Sequence, residues 1–214
     1  LEVARGKEEL TINNNRAVVA VNGVRDRLRV LLVSGEPYAG ERTWRNLLKS
    51  DPSVDLVHFT ILRPPEKNDT TPINELSLIS FPVRQLFKEK LQEFDLVVFD
   101  RYRRRNVLPR VFLSNIVRYV RKGGAFLVAN GPAYATTSYS LHHSPLRRML
   151  PGRPLGTVID RGFRPEVTSI GLRHPVTAEL PAGPESNAEK MASWGRWFRL
   201  VELNKVRGQT VMTG

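Results

Sequence analysis

Two carboxylates, one imidazole and a run of guanidinium groups are the residues that could do chemistry. Glu36 follows a Ser-Gly turn, Asp100 and Arg101 close an apolar run, and His174 stands in His-Pro-Val-Thr. A carboxylate just past a buried strand can serve as a general base or hold a ligand amine. It can equally cap the next helix or pair with an arginine. Asn130 and Gly131 end another apolar run. If these runs are neighbouring strands, their ends share one rim. The catalytic candidates are therefore Glu36, Asp100 and His174, and the ligand-binding set is Glu36, Arg101, Asn130 and Gly131.

Arg103, Arg104 and Arg105 continue from Arg101 and form the densest local charge, with Arg110, Arg147, Arg148 and Arg153 further along. Guanidinium groups there could grip phosphate or carboxylate bidentately. The net charge of +12 agrees with attraction to polyanions. Helix-turn-helix and aromatic RNA-binding patterns are absent, so an anionic ligand or membrane surface is a better expectation than nucleic acid.

Other chemistries lack their residues or their motifs. The chain has no cysteine, so it has no disulfide, thiolate metal site or Cys nucleophile. His142 and His143 are adjacent, and no histidine pair has metal-ligand spacing, so neither metal nor another cofactor is expected. Gly-x-Ser-x-Gly does not occur, and Ser34, Ser138 and Ser140 sit outside any nucleophile-elbow pattern.

The elements that must position these groups begin with the aliphatic run at 28–33. Its lack of polar alternation predicts a strand buried on both faces, hence a parallel sheet covered by helices. Further strands are expected at 54–62, 94–100 and 125–129, with shorter ones at 76–81, 157–159 and 197–206. Helices are expected at 41–50, with Trp44, Leu47 and Leu48 inward, at 83–93, and at 109–122, with Val111, Phe112, Ile116, Val117 and Val120 inward. Lys122-Gly123-Gly124 ends the last of these. Trp194 and Trp197 are expected to pack in the core or cover a sheet edge. Residues 1–22 read as a β extension or the tail of a preceding β-domain, and 23–214 as one α/β domain. No apolar run approaches the ~18 residues needed to cross a bilayer, so a soluble domain is expected. The Leu1 start and strand-like end suggest a piece of a longer protein.

The succession of strand to Ser-Gly, helix, strand, helix, Phe-Asp-Leu-Val-Val-Phe-Asp, helix and Gly-Gly-Ala-Phe-Leu-Val-Ala-Asn-Gly-Pro resembles the class I glutamine amidotransferase-like superfamily. It resembles more narrowly the amidotransferase-like domain of uncharacterised bacterial membrane proteins, through Gly35-Glu36-Pro37, Gly40-Glu41-Arg42-Thr43-Trp44 and Arg63-Pro64-Pro65. The resemblance implies a flavodoxin-like, mostly parallel open sheet with helices on both faces. It also implies a membrane-anchored parent protein whose other domains are the partners. The family nucleophile would fall at Asn130 or Gly131, and neither can attack a carbonyl. The implied function is a non-catalytic binding or scaffolding module. A hydrolase or transferase using the rim without cysteine is the alternative, and polyanion binding comes third.

Overall fold

The computed structural model describes residues 27–61, 82–104, 107–180 and 195–214. The expected β extension at 1–22, the strand at 76–81, Arg105 and Trp194 lie outside them. Four parallel strands form the main sheet: β1 (Leu28–Ser34), β2 (Val54–Thr60), β3 (Leu96–Asp100) and β4 (Ala125–Ala129), in the order β2-β1-β3-β4. This is the strand order of flavodoxin-like doubly wound sheets. β1 lies inside the sheet, with Leu31 paired to Val57 on one side and Val97 on the other.

Alternate β1 residues enter two different cores. Leu31 and Val33 join Val97, Phe99, Leu113, Ile116 and Val117 on one face. Val30 and Leu32 join Val98 on the other, against Trp44 and Leu48. This double burial is why the run carries no polar alternation. The two covering helices are α1 (Ala39–Ser50) and α2 (Arg110–Arg121). Both are rotated slightly from expectation. Leu47 and Val111 face outward, 63% and 60% exposed, and Leu113 is buried in place of Val111. In α2, positions 113, 116, 117 and 120 form one stripe at helical spacing, and 111 falls beside it.

α2 ends as its sequence suggests. Gly123 adopts φ 103°, its amide bonds Val120 O, and the Gly124 amide bonds Tyr119 O. Both bonds satisfy terminal carbonyls, as in a Schellman motif. The segment expected to be helical at 83–93 is helical but irregular: α-helical at 83–84, it continues as a π-helical turn, Gln85–Glu89, and a 3₁₀ turn, Leu91–Glu93. The irregularity still lets Leu86, Phe87 and Leu91 reach the core.

After β4 the chain leaves the sheet through 3₁₀ turns at Pro132–Ala135, Leu141–His143 and Pro145–Arg148. β5 (Gly152–Ile159) then pairs antiparallel with β7 (Leu200–Lys205), and β6 (Glu166–Val167) with β8 (Met212–Thr213). The Tyr134 hydroxyl donates to Gly152 O at 2.8 Å, tying this part to β5, and burial pushes its pKa up to about 12. Trp197 bridges Phe163 and stays 49% exposed, as a cover rather than core. No helix among the described residues is long and apolar enough to cross a membrane.

Phe99 is the centre of the larger core. It stacks on Tyr102 at 4.7 Å and meets Phe126 and Phe87 edge-on at 5.2 and 6.2 Å. Phe99→Ala should cost about 3–5 kcal/mol in urea denaturation. Leu47→Ala, at an exposed position, should stay within about 0.5 kcal/mol. Equal effects would contradict this account of the core.

Candidate functional site

Parallel pairing sets the site. Ser34 lies opposite Thr60 on one side and Asp100 on the other, and Asp100 lies opposite Ala129. All four strand ends therefore open onto one rim. The order reverses at β1, so the gap between β1 and β3 is the position where doubly wound sheets bind ligands.

In this chain that gap is filled. The Gly35 amide bonds Asp100 O at 2.8 Å across it, while on the β2 side of β1 the Ile61 amide bonds Ser34 O at 2.9 Å. A Cβ at Gly35 would lie 2.3 Å from Arg101 O, so only glycine allows the approach. Arg101 takes a left-handed backbone, φ 47°. Its guanidinium lies 3.9 Å from the centre of the Tyr38 ring, a cation–π contact. A Cβ at Gly131 would crowd the Arg101 side chain at 3.0 Å, so this glycine leaves room for it.

The carboxylates are taken up by neighbours. Glu36 accepts from Arg103 at 2.5 Å and from Arg101 at 3.5 Å. Asp100 is 1% exposed and accepts from the Tyr38 hydroxyl at 2.7 Å through Oδ1. Its Oδ2 has no hydrogen-bond partner among the described residues. Burial raises the Asp100 carboxyl above its ordinary value; Tyr38 and Arg101 pull it down, while Glu41 and Glu36 push it up. Burial, and then the bond to Asp100, raise the Tyr38 phenol as well.

The expected residues do not all meet. Glu36, Asp100, Arg101 and Gly131 come together. Asn130 is exposed at the end of β4. His174 is held in a local turn: its amide bonds Gly171 O, and its Nδ1 accepts from the Val176 amide at 3.3 Å. It makes no bond to either rim carboxylate. Arg103 is spent on Glu36. Arg104 donates to Ser138 O and His143 O, both at 3.2 Å.

A polar group on the α1 face was not expected. His58 Nε2 lies 3.2 Å from Ser34 Oγ, 3.4 Å from Thr60 Oγ1 and 3.5 Å from Glu41 Oε1, and Thr60 also donates to Glu41. Ser, His and Glu suggest a triad, but the geometry argues otherwise. Serine and glutamate approach the same ring nitrogen, whereas a triad uses both. Ser34 is also fully buried. The group is a hydrogen-bonded junction between β1, β2 and α1. Its one readable signal is polar residues on alternate positions, 58 and 60, at the end of β2. Among the described residues, no cluster of three His, Asp or Glu could hold a metal ion.

No protein-family model, curated protein or solved structure matches this chain.

The His58–Glu41 contact is an ion pair only if His58 is protonated. Burial lowers the His58 pKa below 6.5; Glu41 raises it and Arg45 lowers it. Burial wins, and the ring is neutral at pH 7. A depressed folded-state pKa contributes stability that is present above the unfolded value and lost as pH falls through the folded one. The His58 ring should therefore titrate below 6.5 by NMR. His58→Gln should lose less stability than the native chain on going from about pH 7 to about pH 5. A midpoint above 6.5 would mean that Glu41 outweighs burial.

Proposed function

We propose that this chain is a non-catalytic domain of amidotransferase-like architecture, acting as a binding or scaffolding module of a larger, membrane-anchored protein. The observation that carries this reading is the internal pairing at the strand-end gap. Glu36 is neutralised by two arginines and Asp100 is held by Tyr38. A general base needs a free lone pair facing a space that substrate can enter. Neither carboxylate combines the two. The absence of cysteine removes the thiol route independently.

One observation favours the alternative, a hydrolase or transferase that works without cysteine. Asp100 is a buried carboxyl with a raised pKa and one unpartnered oxygen, and such groups concentrate at active sites. Against it stand the full burial of Asp100 and the glycine-tight closure above it.

The two readings separate by turnover. The native chain, incubated with glutamine, p-nitrophenyl esters and p-nitrophenyl phosphate, should release no product beyond the buffer rate, and Asp100→Asn should be indistinguishable from it. Turnover that disappears in Asp100→Asn would sink the non-catalytic reading. Glu36→Gln should instead act on stability, at a cost of about 1–2 kcal/mol, because it weakens two charge-assisted bonds. The parent protein, expressed from its complete gene, should sediment with membranes; recovery in the soluble fraction would remove the anchoring part of the proposal.

A further inference from the structure

The basic surface divides into two groups. Arg101 and Arg103 are committed to Glu36, and Arg104 to backbone carbonyls. Arg110, Arg147 and Arg148 are not committed. Among the described residues none of the three forms an ion pair. They line a cleft of about 470 Å³ together with Val111, Ser114 and His143, and no carboxylate among the described residues borders it. That volume lies in the range of small-molecule sites.

The walls of the cleft are the start of α2 and the Pro145–Arg148 turn. Pro109 precedes α2 and offers no side-chain cap, and the first turn of the helix has no acid. The Phe112 and Leu113 amides bond Pro109 O, and the helix dipole leaves the start of α2 partially positive. Arg207 also reaches this wall and donates to Arg148 O. The neighbouring His142 registers the same field. Its pKa is lowered first by burial and then by His143, Arg153 and Arg147. Cations assembled without counter-charge repel one another, and an anion in the cleft would relieve that repulsion.

We propose that this cleft binds a phosphate-bearing ligand, clamped by Arg110, Arg147 and Arg148 at the amino end of α2. A phosphate monoester carries close to two negative charges and three acceptor oxygens, which suits three guanidinium groups better than a carboxylate does. The cleft shares no residue with the strand-end gap, so either proposal can fail without the other.

Inorganic pyrophosphate is the probe, titrated calorimetrically at low salt. It should bind the native chain, and the double substitution Arg147→Gln with Arg148→Gln should weaken binding at least about tenfold. Arg121→Gln with Lys122→Gln removes the same charge from exposed positions at the far end of α2 and should change binding less than about twofold. Should the first variant fail to fold, Arg110→Gln carries the same comparison. Vesicles of phosphatidic acid in phosphatidylcholine distinguish the sources. Retention that pyrophosphate competes away assigns the phosphate to a lipid headgroup, and pyrophosphate binding without retention assigns it to a soluble molecule; both uphold the site. Absence of pyrophosphate binding, or equal weakening by the two double substitutions, overturns it. So does retention on duplex DNA that needs these arginines and that pyrophosphate does not compete.

Discussion

At the end of β1 the backbone passes so close to β3 that a single added carbon at Gly35 would stand 2.3 Å from Arg101 O. Much of the strand-end geometry follows from this approach. It lets the Gly35 amide bond Asp100 O, which extends the parallel ladder past the last paired residues. It places the Asp100 side chain inside the protein, where Tyr38 is its donor. It also accompanies the left-handed turn at Arg101, a conformation that costs an L-residue about 1–2 kcal/mol. The Tyr38 ring under the guanidinium and the Glu36 carboxylate beside it offset that cost. In a doubly wound sheet this gap is where a ligand would enter. Here the protein's own side chains occupy it.

The same residues show what could be read from the sequence and what could not. The nearly unbroken aliphatic run at 28–33 points to an interior parallel strand, because burial of Val30 to Val33 on both faces removes polar alternation there. Glycine after the basic turn announced the end of α2 for an equally local reason. Helix faces were less legible. Leu47 and Val111 each satisfy an apolar spacing, yet a helix rotates to bury the best stripe as a whole, and both were left outside. Segment 83–93 carries a helical composition, but its π-helical and 3₁₀ turns, one of which accepts a bond from Asn115 of α2 at Phe87 O, follow no local pattern.

The rim was legible in position but not in state. Strand ends located Glu36, Asp100, Arg101 and Gly131 together because parallel register aligns them. Pairing depended on the reach of long side chains. Arg101 and Arg103 turn to one carboxylate while Arg104, next in sequence, turns to two carbonyls. Sequence spacing does not distinguish these outcomes, since each guanidinium can sweep several ångströms about its backbone. The His58 junction was hidden for a related reason: its partners come from β1, α1 and β2, and only the sheet register brings them into contact.

Charge ties the two ends of this argument together. A positive excess spread evenly over a surface is screened within about a Debye length and implies no particular partner. The excess here is not even. Where an acid stands among the arginines, at Glu36, the guanidinium groups fold inward and close the gap. Across the α2 start and the Pro145–Arg148 turn no acid among the described residues lines the cleft, and Arg110, Arg147 and Arg148 border it without an ion-pair partner among them. The arginines directly after β3 thus serve as a structural seal, while Arg110, at the start of α2, lines a separate basic cleft. Any anion drawn to this chain would find Arg101 and Arg103 already engaged with Glu36 and Arg104 with carbonyls, so the physical preference falls on the second set.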